Sequence, residues 1–107
     1  MAGSQAMLVY LTFGSSEDAE RIAFLLVQER LAACVNLIPK MRSIYRWRES
    51  IESAEEIVGI AKTTADKFEA LRAKVRLAHT YETPCIVGWK IDEGDADYLA
   101  WIAESVK

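Results

Sequence analysis

The chain has 107 residues, 51% of them apolar and three of them tryptophan. That is one domain's length. A domain this small hides only about two-thirds of the surface its unfolded chain exposes, so the apolar share predicts a self-association surface. Thirteen basic residues against 16 acidic ones leave a net charge of −3, which argues against a nucleic-acid partner. No apolar run approaches the roughly 18 residues of a membrane span. The N-terminus lacks the charged-then-apolar order of a secretion signal. Two cysteines, Cys34 and Cys85, are too few for a disulfide framework and point to a reducing, cytoplasmic setting.

Residues Met1 to Ala6 are small and polar and read as a disordered extension or cloning remnant ahead of a single domain over 7–107. Met7 to Phe13 is a short apolar run of β-branched and aromatic residues, a strand buried on both faces. Gly14 breaks it. Ser15 then caps a helix, with Asp18 three residues on as in a capping box. The helix is expected to run to about Ala33, with Ala19, Ile22, Ala23, Leu26 and Leu31 on its apolar face.

Cys34 to Trp47 reads as a long strand. Pro39 marks a bend or bulge, because proline cannot donate a ladder hydrogen bond. Beyond it Met41, Ser43, Tyr45 and Trp47 share one face, and Arg42, Ile44, Arg46 and Arg48 the other. A turn near Glu49 and Ser50 leads into a partner strand over Ile51 to Thr63, with Glu52, Glu55 and Glu56 expected to face the arginines. Arms of this length reach roughly 40 Å, against about 30 Å for a globule of this size. The hairpin must therefore bend, or project and be covered by another chain.

Thr64 to Ala78 reads as a second helix capped by Thr63 or Thr64, with Phe68, Leu71, Val75 and Ala78 as its buried stripe. Pro84 forbids further helix. Cys85 to Ile91 is a last core strand, Gly94 turns the chain, and Asp95 caps a short final helix. The order β-α-β-β-α-β is the ferredoxin-like α+β arrangement: an antiparallel sheet with two helices on one face and the other face bare.

No phosphate loop, dinucleotide fingerprint, Cys-x-x-Cys or nucleophile elbow is present. The single histidine excludes a two-histidine metal motif within one chain. His79 and Glu82 are candidate metal ligands, while His79 also suits a cap at the helix C-terminus. Two ligands are too few for a tight site, so a metal needs residues from a neighbouring chain. Cys34 is either a soft ligand or a small buried residue. Tyr45 and Trp47 either pack an interface or line a pocket. Lys62 either binds an anion at a helix N-terminus or is a solvated strand-end lysine.

Five segments together resemble the CutA divalent-cation-tolerance family, over about Leu8 to Ser105. They are Glu29-Arg30-Leu31-Ala32-Ala33-Cys34-Val35-Asn36, Ser43-Ile44-Tyr45-Arg46-Trp47, Lys62-Thr63-Thr64, His79-Thr80-Tyr81-Glu82-Thr83-Pro84 and Asp97-Tyr98-Leu99-Ala100-Trp101. The resemblance implies a homotrimer in which long hairpin strands pair between neighbours, much as in P-II signalling proteins. It also implies weak binding of a divalent metal, copper above all, and no enzymatic reaction. It implies an inter-subunit cleft lined by Tyr45, Trp47, Lys62, His79, Tyr81 and Glu82. The alternative it leaves open is a sensor or signalling trimer gripping a small anion in that cleft through Lys62 and Arg46. Thr80 stands where the family usually has proline, Glu49 where it often has a hairpin glycine, and Leu11 and Ala78 where some members carry copper-ligating Cys and His.

Overall fold

The computed structural model describes residues 5–107. The extension expected over residues 1–6 thus lies outside the described residues, except for Gln5 and Ala6. These two are ordered into the sheet: Ala6 opens the first strand, and the Gln5 carbonyl accepts from Ala65 N at 2.8 Å.

Strand β1 spans Ala6–Phe13, helix α1 Ser16–Gln28, β2 Cys34–Trp47 and β3 Ser50–Thr64. Helix α2 spans Phe68–Ala78, β4 Ile86–Lys90 and α3 Ala96–Ser105. The strands lie in the order β2-β3-β1-β4, with every neighbour antiparallel. This is the ferredoxin-like topology.

Period-two alternation in β1 decides the layering. Val9, Leu11 and Phe13 point to one side and are fully buried against Ala19, Ile22 and Leu26 of α1 and Leu71 and Val75 of α2. Ala6 points to the other side, where Ile102 and Val106 seal it together with Ala33. The second face is therefore not wholly bare, because the C-terminal segment covers one end of it. The rest is open: Val87, Trp89 and Ile38 lie there about half exposed. All three tryptophans are between 42% and 48% exposed, a share that leaves the single chain with unpartnered aromatic surface.

Helix α1 stops five residues short of the expected Ala33. Arg30 adopts φ 59°, and Leu31 N and Arg30 N return to the carbonyls of Leu26 and Val27 at 2.9 and 3.1 Å. This is a Schellman cap with arginine at the position that glycine usually holds. At the other end Ser15 Oγ accepts from Asp18 N at 3.1 Å, as the capping pattern predicts. The Asp18 carboxylate turns instead to Arg21 and Thr80. Arg21 also donates to the Ala78 carbonyl at 3.0 Å, placing a cation at the C-terminus of α2.

The second helix begins later than Thr64, after a single 3₁₀ turn over Ala65–Lys67. Neither threonine caps it through its side chain: Thr63 Oγ1 donates to the Leu31 carbonyl, and Thr64 Oγ1 donates to Asp66. Asp95 Oδ2 accepts from Tyr98 N at 3.1 Å and caps α3 as expected.

The bulge falls where proline demands it. Pairing runs to Ile38↔Val58 and resumes at Met41↔Glu56, with Lys40 at φ 62°. Two residues of β2 thus oppose Ile57 alone. The molecule extends 44 × 25 × 22 Å, so the hairpin projects. It also bends, because its tip returns to the segment after α2: Arg48 lies 3.7 Å from Glu82. The expected charge ladder is only partly made. Arg42 opposes Glu55, but Glu52 opposes Tyr45 and Glu56 opposes Met41. Residues directly opposite share a face, so Glu52 and Glu56 belong with the aromatic side chains.

Candidate functional site

The site starts where α2 ends. Beyond Ala78 the chain turns extended at His79. Strand β4 pairs β1 only as far as Leu11↔Ile86, and His79 fills the gap beyond it. Its Nε2 donates to the Thr12 carbonyl at 2.8 Å, and its Nδ1 accepts from Tyr81 N at 3.0 Å. The acceptor role of Nδ1 fixes the neutral tautomer with the proton on Nε2. The ring also stacks on Phe13, with centroids 5.4 Å apart and planes 11° apart. Both nitrogens are thus engaged within the chain, and His79 can ligate a metal only after losing one of these bonds.

His79 in turn aims Tyr81. The phenol passes over Gly14, where an added Cβ would lie 2.9 Å from its oxygen, and donates to Glu56 Oε2 at 2.6 Å. The other Glu56 oxygen accepts from Ser43 Oγ at 2.6 Å. Glu56 is only 7% exposed. Burial, followed by the bond to Glu56 and its negative charge, pushes the Tyr81 phenol well above its ordinary range. Burial likewise raises the Cys85 thiol, with the charge of Glu56 adding to it.

Around this pair lies a hollow of about 320 Å³, lined by Thr12, Tyr45, Trp47, Glu56, Tyr81, Glu82, Thr83 and Cys85. The bent hairpin brings Tyr45 and Trp47 to it. At its rim the Arg48 guanidinium sits 5.4 Å from the Trp47 ring centroid and 3.7 Å from the Glu82 carboxylate.

Four of the six expected residues therefore converge: Tyr45, Trp47, Tyr81 and Glu82. His79 stands behind them as their support. Lys62 lies six positions along β3 from Glu56, roughly 20 Å at the strand rise. There it donates to Tyr98 Oη at 3.1 Å, and its ammonium is held above its ordinary value by that bond. Within one chain Lys62 and the hollow are separate. Glu56, Thr12, Thr83 and Cys85 were absent from the expected site. Strict alternation flags Glu56, since even-numbered Glu52 and Glu56 cannot share a face with odd-numbered Glu55. Among the described residues no three His, Cys, Asp or Glu side chains gather as a metal site. Nor is any helix there long and apolar enough to cross a membrane.

Comparison with known proteins agrees with this architecture. The sequence is 43% identical to the divalent-cation tolerance protein CutA of Archaeoglobus fulgidus over 99 residues, 92% of this chain and 96% of that one. It is 43% identical to that of Thermus thermophilus over 98 residues, 92% of this chain and 95% of the other. The solved structure of the Archaeoglobus protein, described as periplasmic, superposes with a TM-score of 0.92 at 42% identity, covering 95% of this chain and 99% of that one. CutA1 from Oryza sativa superposes at 0.95 with 31% identity, over 100% of this chain and 98% of the other. The sequence profile of the CutA1 divalent ion tolerance proteins matches residues 7–105, and the chain belongs to that family.

Proposed function

We propose that this protein serves divalent-cation tolerance as a cytoplasmic homotrimer without an enzymatic reaction, binding a divalent metal weakly at the hollow between the hairpin tip and the Tyr81 segment. The observation that carries this reading is Glu56, a nearly buried carboxylate that faces the hollow and is held only by the neutral hydroxyls of Ser43 and Tyr81. Glu82 adds a second carboxylate at the rim and Cys85 a thiol. This donor set attracts cations and disfavours the anion-binding alternative. Copper is the first-row divalent ion such donors hold most tightly. Two carboxylates and a protonated thiol do not complete a coordination shell, so the site is weak unless a neighbouring subunit contributes. The exposed Trp89, Trp101 and Val87 supply surface for that assembly, and the two free thiols suit a reducing compartment.

Calorimetric titration with Cu²⁺, on protein whose mass is first measured by sedimentation, tests the reading. The wild type is expected to sediment as a trimer and to give saturable heat. Glu56→Gln should lose most of that heat, and His79→Ala should keep it per folded chain. A monomer, or a wild type without saturable heat, refutes the proposal.

A further inference from the structure

The walls of the hollow suit a second kind of cation besides a weakly held metal ion. Three of the eight lining residues are aromatic (Tyr45, Trp47 and Tyr81), and none is histidine. Tyr and Trp faces attract diffuse positive charge but offer a metal ion little ligation. Each Glu56 oxygen already accepts one hydroxyl, at 2.6 Å, which leaves each with a lone pair for one more donor. About 320 Å³ is room for a small organic molecule. The chain also seats a cation of this kind at the rim itself: the Arg48 guanidinium lies over Trp47 with Glu82 beside it.

We propose that the hollow binds a small organic cation bearing N–H groups, an alkylammonium or alkylguanidinium, with its charge against Glu56 and its body against Tyr45, Trp47 and Tyr81. The N–H groups donate to the free lone pairs of the Glu56 carboxylate. The aromatic walls replace the water lost from the alkyl part and attract the charge through their ring quadrupoles. The inference rests on the hollow being the functional site, but not on a metal occupying it.

The test is calorimetric titration of the assembled protein with butylammonium and propylguanidinium chloride. Butan-1-ol serves as the neutral isostere of butylammonium, tetramethylammonium as the cation without N–H, and sodium chloride as the ionic-strength control. Saturable binding of the first two, at least about tenfold tighter than the last three, is expected. Glu56→Gln keeps a carbonyl oxygen to accept a hydroxyl and should weaken binding about tenfold or more. Trp47→Leu should weaken it about tenfold, and Tyr45→Leu gives an independent second loss. Absent saturation, equal binding of butan-1-ol, or indifference to both Glu56→Gln and Trp47→Leu overturns the inference. Cu²⁺ heat without organic-cation binding would sink this proposal and leave the metal reading standing. Organic-cation binding without Cu²⁺ heat would do the reverse.

Discussion

Removing the His79 ring is expected to damage the fold before it damages any metal site. In His79→Ala two hydrogen bonds disappear, from Nε2 to the Thr12 carbonyl at 2.8 Å and from Tyr81 N to Nδ1 at 3.0 Å. Each contributes about 1 kcal/mol net. The stack on Phe13 at 5.4 Å adds about 0.5–1.5 kcal/mol. The expected loss is therefore about 3 kcal/mol per chain. His79→Asn separates the terms. An asparagine side-chain oxygen can accept from the backbone N–H two residues on, as in an Asx turn, so it should recover about 1 kcal/mol relative to alanine. Urea unfolding at fixed protein concentration, with unchanged slope, measures both. A loss below about 1 kcal/mol, or equal losses for Ala and Asn, would refute the assignment of His79 as the anchor of the Tyr81 segment.

Three further outcomes follow from single contacts. Arg30 is exposed and sits at φ 59° in the helix cap, so Arg30→Gly should stabilise the protein by about 0.5–1 kcal/mol in the same assay. At Gly59 an added Cβ would lie 2.7 Å from Cε2 of the fully buried Phe13. Gly59→Ala should therefore cost about 1–3 kcal/mol, read as a lowered melting temperature. Tyr81 has a raised folded-state value, so the folded chain keeps a proton that the unfolded chain releases above about pH 10. Stability is thus full below that pH and falls as pH rises, by at most about 1.4 kcal/mol per pH unit and less with solvent screening. Tyr81→Phe should flatten this fall while lowering stability near pH 8 by about 1 kcal/mol. Cys85, raised by burial, adds an earlier fall from about pH 8.5 that the variant leaves in place. Urea midpoints from pH 8 to 11 check the difference.

The strands were legible because their causes are local. Alternation and β-branched content place β1, and Pro39 announces its bulge through its missing donor. Helix ends were harder. The end of α1 depends on Arg30 taking a left-handed conformation, which nothing in its side chain favours. It is imposed by the return of Leu31 and Ala32 to the Leu26 carbonyl, at 2.9 and 3.2 Å, once Leu26 is buried. The start of α2 was misplaced for a similar reason: Thr63 and Thr64 look like caps, but tertiary partners claim both hydroxyls. Lys62 was grouped with the hollow by resemblance, yet six positions of β3 separate it from Glu56 within one chain.

His79 shows why the site itself was only half readable. Residue type alone makes it a ligand, since imidazole is a common metal donor. Its role is decided by which partners reach its two nitrogens, and both partners are main-chain groups without a sequence signature: the Thr12 carbonyl beyond the end of β4, and the Tyr81 amide. With the ring so engaged, the chemistry passes to the residue it positions. Tyr81 reaches Glu56 across Gly14, and the bent hairpin carries Tyr45 and Trp47 to the same point. A carboxylate that looked like one rung of a surface charge ladder thereby becomes the buried charge of the hollow. The bulge at Pro39 and Lys40 belongs to the same chain of causes, because its extra residue sets Met41 rather than Lys40 opposite Glu56. Restoring regular pairing there would turn the arginine face of the hairpin toward Glu56 and the aromatic face away from it.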